Sequence, residues 1–395
     1  MSELLTPNDC ELLFSAKEIG GKTAPNRFAA QPMEANDSDP GGKVSRRALD
    51  RYRRIAGGEW GITVVEAVSV TPDAVARKNQ LVITPSNLEG FKRLVDAYKS
   101  IHPDGLLLFQ ITHPGQYDGP YVQYDASCGN SIPEVLSDSE IRALLRRFIE
   151  SAGLLRKAGA DGIDFKLSHG CFGRDMICPA NVRHDQWGGS FENRTRFLRD
   201  ALEELRSIHR KGEFIIGSRI SMYDGVRGGC GTASADSLLE DLTEMKRIIS
   251  LMADLGGDYL NVSAGIPGCT SEMIRPAKRS KWVILQHFRY CSEAKQAAPG
   301  MPVIGSAYSM LRDQSVTFGA ENIRRGIVDF IGLGRQVFAD PMFPKKVRKG
   351  EPVDFCRACL GCSKLMNSQQ HDGCVVYDSY YRMIMKAMAR DNHIV

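Results

Sequence analysis

Short apolar runs rich in β-branched and aromatic residues alternate along this chain with longer stretches in which apolar residues recur every three or four positions. The runs fall at residues 28–30, 62–66, 106–111, 162–166, 214–220, 259–263, 302–305 and 329–333, and their length and composition predict strands. Segments between them, among them 137–158, 192–211 and 234–255, carry charges among the apolar positions and read as amphipathic crossover helices. Eight strand–helix repeats are what a closed barrel requires. An open doubly wound sheet is the competing architecture, but no Gly-x-Gly-x-x-Gly follows the first run and opens a helix. The pattern therefore predicts an α/β chain: a (β/α)8 TIM barrel over residues 1–350, with a short cysteine-containing C-terminal extension, 351–395, packed on it.

Composition narrows the ligands. The 395 residues are 43% hydrophobic and 25% charged, enough to bury a full core. A formal net charge of +4 without a long Lys/Arg block leaves no footprint for nucleic acid or a membrane surface, so small molecules are the expected partners. The opening residues MSELLTPNDCELLFSAKEIG lack a basic start followed by an apolar run, and no stretch approaches the ~18 apolar residues of a membrane span. A cytoplasmic location is expected, with the 11 cysteines reduced rather than paired as structural disulfides.

In a barrel of this kind the chemistry sits at the carboxyl ends of the strands. Those ends read Gln31-Pro32-Met33-Glu34, Ala67-Val68-Ser69, Gln110-Ile111-Thr112-His113-Pro114-Gly115 and Lys166-Leu167-Ser168-His169-Gly170-Cys171. Arg219 stands between apolar neighbours in the fifth run, the sixth ends at Ser263-Ala264-Gly265, and the last two finish in Gly305-Ser306 and Gly334-Arg335. Glycines there let backbone N–H groups approach an anion, and Arg335 adds a charge, which together make a phosphate site after the seventh and eighth strands.

Taken in order, Asn26-Arg27-Phe28-Ala29-Ala30-Gln31-Pro32-Met33, Glu66-Ala67, Gln110, His113-Pro114-Gly115, the stretch from Asp185 through Trp187-Gly188-Gly189-Ser190-Phe191-Glu192-Asn193-Arg194, Ser218-Arg219 and Gly332-Leu333-Gly334-Arg335 resemble the old yellow enzyme and 2,4-dienoyl-CoA reductase family. The resemblance covers nearly the whole chain. It implies bound FMN across the barrel mouth, with Pro32, Met33, Ala67 and Ser263 lining the flavin, Gln110 at its pyrimidine edge and Arg219 on the N1/O2 side. Reduced flavin concentrates negative charge at N1, which a fixed guanidinium stabilises. Gly305, Ser306, Gly334 and Arg335 would then hold the phosphate.

The substrate side departs from the family pattern. Members usually carry His-x-x-His or His-x-x-Asn after the fourth strand and a Tyr two residues on as proton donor; here the positions read Lys166, His169 and Cys171. An ammonium there stabilises a developing oxyanion or pairs with a substrate carboxylate, unless Lys166 is a rim ion pair. Cys171 is one candidate acid, with Tyr117, Tyr121 and water as others. Glu34 stands where some relatives carry a flavin-tuning Cys or Thr.

Four cysteines, Cys356, Cys359, Cys362 and Cys374, follow the eighth repeat. In the iron–sulfur branch of the family the cluster ligands lie in this place, but the third spacing here is one residue short. A [4Fe–4S] cluster, zinc and plain thiols all stay open. That branch normally continues into further electron-feeding domains, for which a chain ending at Val395 has no room. Either NAD(P)H reduces the flavin directly or a separate electron-donor protein does; a homo-oligomer is also open. The expected activity is hydride transfer from reduced FMN to an activated C=C bond of a small substrate, with a carboxylate or thioester among the candidates. Oxidative demethylation or dehydrogenation, and a non-catalytic redox subunit fed by a partner, are the alternatives.

Overall fold

The computed structural model describes residues 6–114, 136–277 and 280–391. A hairpin of β1 (Lys17–Ile19) and β2 (Lys22–Ala24) comes first. Eight strands follow: β3 (Phe28–Ala30), β4 (Ile62–Ser69), β5 (Leu106–Thr112), β6 (Gly162–Leu167), β7 (Ile215–Ser221), β8 (Tyr259–Ser263), β9 (Val303–Gly305) and β10 (Phe330–Leu333). They pair in parallel and in chain order, and β10 closes on β3, so the sheet is a closed barrel. The eight runs read from the sequence are these eight strands.

Two apolar cores flank the barrel wall. The outer one lies between strands and crossover helices. The helix Asp138–Lys157 contributes Ile141, Leu144, Leu145, Phe148 and Ile149 to it, the three- and four-residue spacing that puts side chains on one face. Ser137 caps that helix by accepting from the Glu140 N–H, and the Glu140 carboxylate accepts from the Ser137 N–H. The segment 234–255 is helical only over Thr243–Asp254. Its first third instead runs as polar turns that pin the loop after β7, with Gly228 N–H donating to the Ser237 carbonyl.

The second core is inside the barrel and is built from Ala29, Ile62, Val64, Leu106, Leu108, Ile215, Tyr259, Ile304 and Phe330, together with Ile19 and Ala24 of the hairpin. The hairpin thus plugs the amino end. Its Gly20 and Gly21 turn at φ 58° and 78°, which glycine adopts without strain. With that end filled by hydrocarbon, the interior opens only at the carboxyl ends of the strands. Among the described residues no helix is long and apolar enough to cross a membrane.

Gly217 on β7 lets the Tyr259 ring lie across the interior, where its hydroxyl reaches Asp164 at 3.0 Å. A Cβ at Gly217 would sit 2.0 Å from that ring. Gly217→Ala is expected to lower stability by about 1–3 kcal/mol, the usual cost of overpacking. Calorimetry should show part of the loss restored in Gly217→Ala/Tyr259→Leu; an unchanged melting temperature in the single variant would show that the ring has room to move.

Candidate functional site

Register sets the chemistry of the barrel interior. Gln110 pairs with Asp164, and Lys166, Arg219 and Asn261 are register partners across β6, β7 and β8. Asp164 and Lys166 are two residues apart on β6, so both point inward. They form successive polar layers above the apolar plug.

The lower layer is organised by Asp164, which is fully buried. Its carboxylate accepts from Gln110 Nε2 at 2.9 Å, the Tyr259 hydroxyl at 3.0 Å, Asn261 Nδ2 at 3.3 Å and the Arg219 backbone N–H at 3.1 Å. Burial nonetheless raises its pKa above the ordinary aspartate value. Above it the Arg219 guanidinium donates to Asn261 Oδ1 at 2.8 Å, to Ser263 Oγ at 3.2 Å and to Gln31 Oε1. Burial brings the Arg219 pKa down to about 10, so the group remains a cation at neutral pH. Arg219 Nε is buried without a partner among the described residues.

Arg219 faces a cavity of about 600 Å³ at the barrel mouth. Of the residues proposed from the sequence, Pro32, Met33, Gln110, Lys166, His169, Cys171, Arg219, Ser263, Ser306, Gly334 and Arg335 line this one cavity. Ala67 and Gly305 do not. The Ala67 carbonyl is taken up by Gln80 Nε2 at 2.9 Å. The α-carbon of Gly305 faces the barrel wall, where an added Cβ would meet Val328 at 2.7 Å, so its lack of a side chain serves packing. Tyr117 and Tyr121 lie outside the described residues. The Trp187 stretch, the most specific string of the sequence, is a brace outside the cavity: the Trp187 indole donates to Asp138 at 2.8 Å and its carbonyl accepts from Asn181.

At the far end of the cavity Arg335 opens the short helix Arg335–Ala339. Its guanidinium donates to the Pro276 carbonyl at 3.1 Å and to the Met310 thioether at 2.8 Å, neither of them an anion. Ser306 and Ser309 line the same end. His287, on the helix Lys281–Ala297, contributes a ring whose Nε2 meets the Met273 carbonyl at 2.9 Å. A carbonyl can only accept, so Nε2 carries the proton. Nδ1 is then a bare acceptor, buried without a partner among the described residues. These unmatched donors and acceptors suit a phosphorylated, hydroxyl-bearing ring system such as FMN: a cation for the phosphate, a second cation for the ring and polar groups between.

On the substrate side His169 sits at φ 62° beside Gly170 at φ 76°. This left-handed turn after β6 brings the imidazole back over the mouth, where Nε2 meets Ser263 Oγ at 2.8 Å. Burial, then the nearby Arg219 and Lys166, push the His169 pKa well below the ordinary histidine value, so the ring is neutral. Lys166 differs. Burial opposes its charge, but Cys171 and Glu34 outweigh that and raise its pKa. The ammonium lies 3.4 Å from Glu34 Oε1, and Glu34 also accepts from Arg77 Nε at 3.0 Å. The Glu34 carboxylate is partly buried, which raises its pKa, yet Arg77, Lys166 and Arg275 bring it down to about 2. Lys166 is therefore both an ion pair and a cavity residue.

The extension reaches the same mouth. Asp372 N–H donates to the Ala35 carbonyl at 2.7 Å, and Cys356 N–H to Gln336 Oε1 at 3.0 Å. Cys362, Ser363, Met366 and Asp372 line the cavity, whereas Cys356, Cys359 and Cys374 do not. All four cysteines are free thiols. Burial raises the pKa of Cys356 and Cys374 and takes that of Cys362 up to about 12. Among the described residues no three His, Cys, Asp or Glu side chains stand together as metal ligands. The charges of Cys356 and Cys359 act on Cys374, that of Cys359 on Cys356 and that of Cys356 on Cys362, so the four lie near one another. Cys269, expected reduced, is disulfide-bonded.

The profile of the NADH:flavin oxidoreductase / NADH oxidase family matches residues 12–354. The chain is 30% identical over 368 residues to an NADH oxidase of Thermoanaerobacter brockii, covering 89% of this chain and 52% of that protein. With an NADPH dehydrogenase of Clostridium acetobutylicum identity is 28%, covering 84% and 93% respectively. The fold superimposes on a solved 2-naphthoyl-CoA reductase complex with a TM-score of 0.78 at 22% identity, over 93% of this chain and 57% of that one. The chain thus spans little more than half the length of the first and last of these.

The unmatched groups predict an order of ligand affinity. FMN at about 100 times its dissociation constant should stabilise the apoprotein by about 2.7 kcal/mol, and riboflavin, which lacks the phosphate, by less. In Arg335→Ala the two should shift the melting curve equally. A riboflavin shift equal to that of FMN in the unsubstituted protein would contradict the phosphate assignment.

Proposed function

The chain belongs to the NADH:flavin oxidoreductase / NADH oxidase family, and from that premise we propose that it is an FMN-dependent ene-reductase. When bound, FMN would accept hydride from NAD(P)H and deliver it to an activated C=C bond. The observation that carries this reading is Arg219, a buried cation that lines the cavity and whose Nε has no partner among the described residues.

Each residue has a role that its surroundings support. Arg219 would balance negative charge on the reduced ring, and because Asn261, Ser263 and Gln31 fix its guanidinium while Asp164 accepts from its backbone N–H, it needs no rearrangement to do so. Gln110 is held by Asp164 and would present its amide to the ring edge. Pro32 and Met33 supply apolar walls, and Ser306, Gly334 and Arg335 would hold the phosphate end. Lys166 and His169 grip the substrate oxygen that takes up charge as hydride arrives. The neutral imidazole donates one hydrogen bond; the ammonium gives a charge-assisted one, roughly twice as strong as a neutral pair. Protonation of the neighbouring carbon is assigned to Cys171, which lines the cavity beside Lys166. Tyr117 and water are the alternatives.

Anaerobic stopped-flow mixing tests direction and residues together. NAD(P)H should bleach the flavin, and an enone or unsaturated acid should restore its colour. Lys166→Met should slow the second phase by roughly 10²–10³-fold, the usual effect of losing one oxyanion donor, at unchanged flavin content. Equal rates would remove Lys166 from the reaction. Bleaching by an added amine but not by NAD(P)H would place the chain on the oxidative side of its family, or with a partner-fed subunit.

A further inference from the structure

Lys166, Arg77 and Arg275 surround Glu34 and line the same cavity. Lys166 and Glu34 have side-chain exposures of 7% and 15%, and Arg77 one of 16%, so water screens these charges weakly. Three cations gather around the Glu34 carboxylate. Asp372, the other acid in this group, is pushed by burial well above the ordinary aspartate pKa. Burial and its neighbour Arg77 both act against the charge of Arg275.

A buried excess of positive charge is costly unless an anion completes it. The guanidinium donors mark where that anion belongs. Arg77 Nη2 and Arg275 Nη2 both donate to the Met366 thioether, at 3.6 Å and 3.4 Å. A thioether is a weak acceptor, and Met366 belongs to the extension that roofs the mouth.

We propose that Arg77, Arg275 and Lys166, roofed by Met366, form a carboxylate-binding subsite, and that the substrate is a small unsaturated acid. This rests on the reading of the site as a flavin-dependent reductase. Planar guanidinium groups match a carboxylate in shape and pair with it through two parallel hydrogen bonds. The charge excess also suits the reaction. Hydride from reduced FMN adds to the β-carbon of an unsaturated acid, the C=C electron pair moves onto the carboxylate as a dianionic enediolate, and a proton then added at the α-carbon restores a single charge. A neutral enone develops only one negative charge. An acid develops two, and the three cations gathered around Glu34 lie where that charge would form.

Equilibrium binding to the oxidised FMN-loaded protein, read from the flavin absorption bands, tests this without turnover. Cinnamate should bind at least about tenfold more tightly than cinnamamide, its neutral counterpart, a difference of about 1.4 kcal/mol. Arg77→Gln and Arg275→Gln should each remove most of that preference while cinnamamide affinity stays within twofold. Arg275→Lys, which keeps the charge but loses the fork, should fall between. Equal binding of acid and amide, or equal loss of both in the variants, overturns the subsite. So does inorganic phosphate competing as well as cinnamate, which would mark a general anion site such as one for a cofactor phosphate. Should a variant come without its flavin, the comparison of acid with amide in the unsubstituted protein decides alone. Absence of flavin from the unsubstituted protein would refute the reductase reading itself.

Discussion

A guanidinium carried into the middle of a barrel has to be held there, and the way Arg219 is held fixes most of what surrounds it. Asp164 beneath it supplies the counter-charge, and that carboxylate survives burial because Gln110, Tyr259, Asn261 and a backbone N–H all donate to it. Tyr259 can reach Asp164 only because Gly217 clears the space for its ring. Below this layer the hairpin and the apolar interior exclude water. The charge can therefore meet a ligand from one side only, the carboxyl ends of the strands.

Much of this was legible in the chain. The eight runs became the eight strands because a buried parallel sheet needs near-continuous β-branched and apolar residues, and few other structures do. Boundaries moved by a residue or more: Phe214, Pro302 and Asp329 precede their strands, and β4 continues to Ser69. Strand-end positions located most of the cavity, from Pro32 and Met33 to Arg335. What escaped notice was side-chain partnership. Asp164 stands two residues before Lys166, the period that puts both inside, and this signal was available but went unread. Arg77, Arg275 and His287 gave no such signal. They come from loops and a helix face, and only the closed fold brings them to the mouth. Gly305 adds a packing reason for its small size, since a Cβ there would meet Val328.

The cavity is electrostatically divided. Arg335 and Arg219 face the part suited to a phosphorylated ring system, Lys166 with Arg77 and Arg275 the part suited to substrate, and the neutral imidazoles of His169 and His287 stand between them. Glu34 holds the second set of cations together without neutralising it. The C-terminal extension belongs to this arrangement, because Met366 and Asp372 form part of the wall around Arg77 and Arg275.

The central claim is that Arg219 is a fixed positive charge kept for an anionic reduced ring. It is tested most directly by the midpoint potential of the FMN-loaded protein as a function of pH. If the reduced ring is held as an anion, one proton accompanies two electrons and the potential falls by about 30 mV per pH unit between about pH 5 and 8. A slope near 60 mV per pH unit, which means two protons per two electrons, would show a neutral reduced ring and contradict the role given to Arg219.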